Sequence, residues 1–228
     1  MKNTLPHMIA ALIATVSFQA NAAIAITEVA PWGSGDAPYE ADWFELTNTG
    51  NSAIDISGWR VDDSSNAFAT ALALNGVTNI GAGQSVIFIE SAGGAKIPSF
   101  IETWFGSNAA PLNAAPLIGY YSGSGIGLST GGDAVNIFNA AGVRQAFVSF
   151  GAADSVSPFQ TFDNAAGVNG VISQLSVVGV NGAFVAANDA LEIGSPGTIA
   201  AVPEPESYAM LLAGLGLMGA ASRKRLSK

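Results

Sequence analysis

Short apolar runs broken by turn residues fill the middle of this chain and constrain its fold more than any other feature. Clusters of Gly, Asn, Ser and Asp separate the runs, as in Thr49-Gly50-Asn51 and Asn139-Ala140-Ala141-Gly142. No middle segment keeps a helical period, so helix is expected only near the two chain ends. The pattern predicts an all-β domain, a sandwich or a barrel. The predicted strands are Ile24 to Ala30, Asp42 to Asn48, Ser52 to Ile56, Trp59 to Asp62, Ser85 to Glu90, Ala134 to Asn139, Val143 to Phe150, Ile172 to Val178 and Ala183 to Ala186.

Alternation within the runs predicts which side chains are buried. Phe44 and Leu46 share one face of their strand, and Trp43 and Glu45 share the other. The run Val86-Ile87-Phe88-Ile89 is apolar on both faces, which is typical of a central strand covered on both sides. Trp59 follows Gly58 and is expected in the core.

An uncharged apolar stretch, 208–222, lies close to the C-terminus. It is shorter than the roughly 20 residues that usually span a bilayer, so a buried helix is the alternative. Basic residues follow it directly: Arg223, Lys224, Arg225 and Lys228. Such clusters hold a helix end on the cytoplasmic side, so we predict a transmembrane helix with Arg223, Lys224 and Arg225 as its basic stop.

The N-terminus has the pattern of a secretory signal peptide. Lys2 precedes an apolar segment, and Ala20-Asn21-Ala22 fits the small-residue cleavage site, which places the cut between Ala22 and Ala23. Segment 1–22 is therefore expected to be removed by a signal peptidase. The single histidine, His7, lies within it.

Composition limits what the remaining domain can do. Between residues 23 and 202 three basic residues stand against fifteen acidic ones, a formal net charge of −12. Nucleic-acid binding depends on Lys and Arg, so we predict no nucleic-acid partner. The chain has no cysteine and the domain no histidine, which excludes serine–histidine and cysteine–histidine catalysis there. Carboxylate pairs for glycoside hydrolysis remain available, yet we predict that the protein is not an enzyme.

The C-terminal residues Val202-Pro203-Glu204-Pro205, the apolar stretch and Arg223-Lys224-Arg225 together resemble a PEP-CTERM sorting signal. The resemblance implies recognition by an exosortase, a membrane-embedded processing enzyme of Gram-negative bacteria. The chain would be an inner-membrane intermediate through its C-terminal helix. After cleavage near the Pro-Glu-Pro motif it would reach the cell surface or an exopolysaccharide matrix.

The middle of the chain resembles a lamin-tail domain. The resemblance rests on five pieces in order: Ile26-Thr27-Glu28-Val29 with Asp42 to Asn48, Ile54 to Asp63, Ile80 to Ile87, Gly132 to Ile137, and Gly194-Ser195-Pro196-Gly197. It implies an immunoglobulin-like β-sandwich that serves as a structural or interaction module. The predicted division is a signal peptide at 1–22, the sandwich domain at 23–200 and the sorting signal at 201–228, with its helix at 208–222 and basic tail at 223–228.

Two alternatives concern ligands. Asp62 and Asp63 open a run of oxygen-bearing side chains that suits calcium, although turn chemistry alone explains such a run. The long segment 91–130 carries Trp104 and Tyr120, and as a carbohydrate- or protein-binding loop it would expose one of them; a packed lobe is the other reading. We predict a non-enzymatic exported structural or interaction module, with a binding module, calcium-dependent in one version, as the alternative.

Overall fold

A computed structural model of the chain describes residues 24–106, 117–123, 126–153 and 156–198. Along these residues the elements are β1 (Ile24–Ala30), α1 (Gly33–Asp36), β2 (Trp43–Asn48), β3 (Ile54–Asp55), β4 (Arg60–Asp62), β5 (Leu72–Ala73), β6 (Asn79–Ile80), β7 (Ser85–Glu90), a 3₁₀ turn (Ala92–Gly94), α2 (Ile97–Phe105), β8 (Leu117–Tyr121), β9 (Asp133–Phe138), β10 (Arg144–Phe150), β11 (Phe159–Gln160), β12 (Phe162–Asp163), β13 (Gly170–Ile172), β14 (Phe184–Ala186) and β15 (Asp189–Gly194). The described part is therefore mainly β, as the sequence predicts.

Most strands belong to two five-stranded sheets. The first sheet has the order β12-β1-β2-β7-β8, and the second has the order β13-β10-β9-β4-β5. Neighbours in the first sheet are antiparallel except β7 and β8, which are parallel and are joined through α2. A hairpin joins β9 to β10 in the second sheet, and Gly142 adopts a positive φ of 78° in its turn. The predicted turn at Asn139 to Gly142 is confirmed.

The inner faces of the two sheets share one hydrophobic core, which makes the fold a β-sandwich. Phe44, Leu46 and Phe88 from the first sheet contact the same buried cluster as Ile137 and Val148 from the second. Trp59 also belongs to this cluster, as predicted.

A second apolar cluster lies on the outer face of the first sheet. Trp43, Ile87 and Ile89 project there and pack with Phe100 and Trp104 of α2. β2 and β7 are consequently buried on both faces, which confirms the two-sided prediction for Val86 to Ile89. The smaller sheet β11-β15-β14 contributes Phe159 and Ala186 to this layer. The short strands β3 and β6 form a separate two-stranded sheet.

Two sequence-based predictions about secondary structure are wrong. A helix does form in the middle of the chain, because Ile97, Phe100 and Trp104 fall on one helical face and Pro98 lies in the first turn, where proline is tolerated. The strand predicted from Ile172 to Val178 ends at Ile172. Val177 and Val178 lie in an exposed turn that Gly179 closes with a φ of 82°.

None of the helices in the described ranges is long and apolar enough to cross a membrane. The predicted signal peptide at 1–22 and the predicted sorting signal at 201–228 lie outside the residues that the structure describes.

Candidate functional site

Three carboxyl side chains form a row across the first sheet, which we call the carboxyl row. Asp163 on β12 is the Cα partner of Glu28 on β1, and Glu28 is the Cα partner of Glu45 on β2. The Cβ atoms of directly paired residues lie about 5 Å apart. All three side chains are buried. The negative charges of Glu28 and Glu45 therefore interact in a place that water screens poorly.

The last described residues, 195–198, close over this row, and we call them the C-terminal strap. The backbone N–H of Ser195 donates to Glu28 Oε1 at 2.6 Å, and that of Gly197 donates to Glu45 Oε2 at 2.6 Å. Close approach is possible here because Gly194 has no side chain: a Cβ would lie 2.7 Å from Glu28 Oε1 and 2.9 Å from the Trp104 ring. The row thus fastens the end of the domain to its central sheet.

Hydroxyl groups surround the carboxyl row. Thr161 Oγ1 donates to Glu28 Oε1 at 2.5 Å, and Thr27 Oγ1 donates to Glu45 Oε1 at 2.7 Å. Thr47 contacts both Thr27, at 2.8 Å, and Ser85, at 2.6 Å, which extends the network across the sheet. Donors of this kind offset part of the cost of burying carboxyl groups.

A small cleft beside Glu45 is lined by Thr27, Ser195 and Thr198 among others. It has about 10 Å³ of space for the centre of a water molecule, roughly enough for one water. A cleft of this size cannot accept a sugar. The carboxyl row therefore holds the chain together and is not open to a substrate through this cleft.

Burial raises the pKa values of Glu28 and Glu45. Loss of water, together with the negative charge of Glu45, raises the pKa of Glu28 to about 8. Burial also raises the pKa of Glu45 to about 7, against the opposing hydrogen bonds from Thr27 and Gly197. Glu28 Oε2 has no hydrogen-bond partner within the described residues. A pKa of about 8 favours the protonated form of Glu28 at neutral pH.

Another buried carboxyl group, that of Glu192, lies outside the carboxyl row among the aromatic side chains of the outer layer. Tyr39 OH donates to Glu192 Oε2 at 3.1 Å. The indole N–H groups of Trp43 and Trp104 donate to the same hydroxyl at 3.0 and 3.3 Å. Burial raises the pKa of Glu192 to about 8. This polar centre orients both tryptophans and ties α2 to β15.

The segment 91–130 forms a packed lobe where the structure describes it. Phe100, Trp104 and Tyr121 are buried, and Tyr120 is half-buried. Trp104 is not the exposed aromatic residue of a binding loop, because its ring packs edge-on against Trp43 and Phe184; the binding alternative itself stays untested.

Asp62 and Asp63 accept hydrogen bonds from the turn that follows them. Asp62 Oδ2 accepts hydrogen bonds from Ser65 Oγ and from the Ala67 backbone N–H, both at 2.6 Å, and Asp63 Oδ1 accepts one from the Ser65 N–H at 2.8 Å. In the described part of the chain no three acidic or histidine side chains gather as a metal site would require. The structure thus gives these residues a turn-stabilising role, and calcium dependence stays an untested alternative.

The other predicted site residues lie outside the described residues. They are the sorting motif Val202, Pro203, Glu204 and Pro205, the basic stop Arg223, Lys224 and Arg225, and the signal-peptide cleavage residues Ala20, Ala22 and Ala23.

The strand pattern of the sequence allows a sandwich or a barrel, and comparison with protein families bears on this choice. The family model described as Lamin Tail Domain matches residues 17–152, which is more than half of the chain. The chain belongs to the lamin tail domain family. Lamin tail domains are immunoglobulin-like modules, in agreement with the sandwich and the predicted resemblance. The matched range includes Glu28 and Glu45 and ends before Asp163 and the C-terminal strap.

A second family model, the PEP-CTERM protein-sorting motif, matches residues 201–225 of this lamin tail domain protein. The predicted sorting signal is confirmed at the level of the sequence family, and it implies recognition by an exosortase and export. Neither the curated proteins nor the solved structures that were compared contain a match to the chain.

Proposed function

We propose that this protein is a non-enzymatic, exported lamin tail module that an exosortase processes at the inner membrane and that serves a structural or interaction role at the cell surface or in the exopolysaccharide matrix. The observation that carries the proposal is the PEP-CTERM motif at residues 201–225. It directly follows a domain whose C-terminal strap is fastened to the central sheet by Glu28 and Glu45. A fastened strap keeps the domain folded up to a few residues before the motif.

The non-enzymatic part of the proposal has separate support. One pair of carboxyl groups that lie together, Glu28 and Glu45, is buried beneath the strap beside a cleft that holds about one water. A glycoside hydrolase needs two carboxyl groups flanking a sugar, and this arrangement leaves a sugar no access.

We expect sorting to depend on the motif and on the exosortase. In cells with the enzyme, wild-type protein should reach the outer fractions, and Glu204→Ala should accumulate in the inner membrane with its tail intact. Glu206→Ala removes the same charge two residues after Glu204, immediately beyond Pro205, and is the matched control, which should behave as wild type. Immunoblots of fractionated cells measure all three. Equal surface delivery of wild-type protein in a strain without the exosortase would contradict the proposal.

A further inference from the structure

The outer face of the second sheet carries two of the three basic residues of the domain. Arg60 on β4 and Arg144 on β10 are both Cα partners of Phe138 on β9, so the two arginines flank one phenylalanine across three strands. The neighbouring residues Val61 and Ile137 belong to the inner core. Because side chains alternate along a strand, Arg60 and Phe138 point outward.

Aromatic rings hold both guanidinium groups in place. The Cζ of Arg144 lies 4.0 Å from the centroid of the Phe147 ring, and that of Arg60 lies 5.3 Å from the centroid of Phe68. Phe68 in turn packs edge-on against Phe138 at 5.8 Å. We call these five residues the arginine face. Within it Phe147, Phe68 and Arg60 are half-buried, Phe138 is buried and Arg144 is exposed.

Neither guanidinium is neutralised within the described residues. Arg60 Nη1 donates to the Ala71 carbonyl at 3.0 Å, and Arg144 Nη1 donates to the amide oxygens of Asn136 and Asn66 at 3.1 and 3.3 Å. These acceptors are uncharged. Among the described residues, each arginine side chain donates its hydrogen bonds through Nη1 alone. The other N–H groups of each guanidinium therefore remain available to a ligand.

Asp62, the acidic residue of β4, accepts no hydrogen bond from either arginine among the described residues. Asp62 follows Arg60 by two residues and is buried, with its Oδ2 occupied by Ser65 and Ala67. In a domain of formal net charge −12, two guanidinium groups that border the same strand and have no carboxylate partner among the described residues are an exception. They create a local surface that attracts anions on a molecule that otherwise repels them.

We propose that the arginine face binds a carboxylated polysaccharide, a polymer of uronic acid residues. Guanidinium forks match carboxylate oxygens in geometry and charge, and the aromatic rings supply apolar surface for the faces of sugar rings. Val171, which is 81% exposed on the edge strand β13, extends the apolar surface beside β10. The proposal rests on the proposed matrix role for its physiological meaning, but the binding itself does not depend on sorting.

The test is a binding titration of the full-length protein with polygalacturonate, its methyl-esterified form and neutral dextran. We expect binding to polygalacturonate that weakens with salt, and little binding to the esterified polymer, which has the same sugar ring without the charge. Arg144→Gln should weaken binding by about tenfold or more. Arg144→Lys keeps the charge, loses the fork and should fall between the two.

Lys96→Gln is the matched control, because Lys96 is the third basic residue of the domain and lies before α2, away from the arginine face. It should bind as wild type, and all variants should melt near the wild-type temperature. Equal binding by Arg144→Gln and Lys96→Gln would overturn the proposal, as would equal binding of the esterified polymer. Self-association in place of polymer binding, abolished by Arg144→Gln, would assign the face to a second copy and also overturn it. A sorting failure changes none of these outcomes.

Discussion

Trp104→Ala is expected to lower the free energy of unfolding by about 3–5 kcal/mol, the cost of truncating a large buried aromatic side chain. Trp104 is only 1% exposed, and its ring packs edge-on against Trp43 at 5.8 Å and Phe184 at 5.7 Å. The substitution also removes a hydrogen bond to Tyr39. Because Trp104 joins α2 to the central sheet and to β14, its loss should loosen the whole outer layer.

Chemical denaturation followed by tryptophan fluorescence or circular dichroism measures this effect. Glu102→Ala on the exposed side of the same helix is the control and should change stability by less than about 0.5 kcal/mol. A Trp104→Ala protein as stable as wild type would show that α2 does not cover the outer face of the first sheet. That result would favour the alternative in which segment 91–130 is an open binding loop.

The domain is expected to lose stability as the pH rises from 5 to 9. Burial raises the pKa of Glu28 and of Glu192 to about 8, and that of Glu45 and of Asp42 to about 7. In the unfolded chain these groups titrate near 4.5 or 3.8. Between those values the folded protein binds more protons than the unfolded protein, so the free energy of unfolding falls with increasing pH. The stabilisation is complete below the unfolded pKa values and is lost above about pH 8.

Glu28→Gln tests whether the carboxyl row causes this loss of stability with rising pH. The amide keeps the size of the protonated side chain but does not titrate, so the difference in stability between pH 5 and pH 9 should shrink by about 2–4 kcal/mol. Glu102→Gln removes an exposed carboxyl group and should leave the difference unchanged. Denaturant titrations at the two pH values provide the numbers. A domain that grows more stable towards pH 9 would contradict the buried, protonated state of Glu28.

The strands that alternate clearly or are apolar throughout could be predicted from sequence. The bounds of β1 and β7 agree with the predicted segments, because turn residues flank β7 on both sides and Pro31 follows β1. Helix α2 was missed since Pro98 and its short length hide the helical spacing. Val177 and Val178 have high β propensity, yet the positive φ of Gly179 turns the chain away there.

The carboxyl row was beyond sequence reasoning for a physical reason. Alternation places Glu45 on the same face as Trp43, but it does not tell whether that face meets water. The covering residues, Thr161 and the strap at 195–198, come more than 100 positions later in the chain. Register between β1, β2 and β12 sets which carboxyl groups become neighbours, and register follows from the assembled sheet.

The most direct test of exosortase-dependent export is the intact mass of the protein recovered from the cell exterior. We expect a chain that begins at Ala23 and ends close to Pro203-Glu204-Pro205, without the apolar stretch and without Arg223, Lys224 and Arg225. The same tail should be retained on protein from cells that lack the exosortase. An exported protein whose mass still includes residues 223–228 would contradict the account.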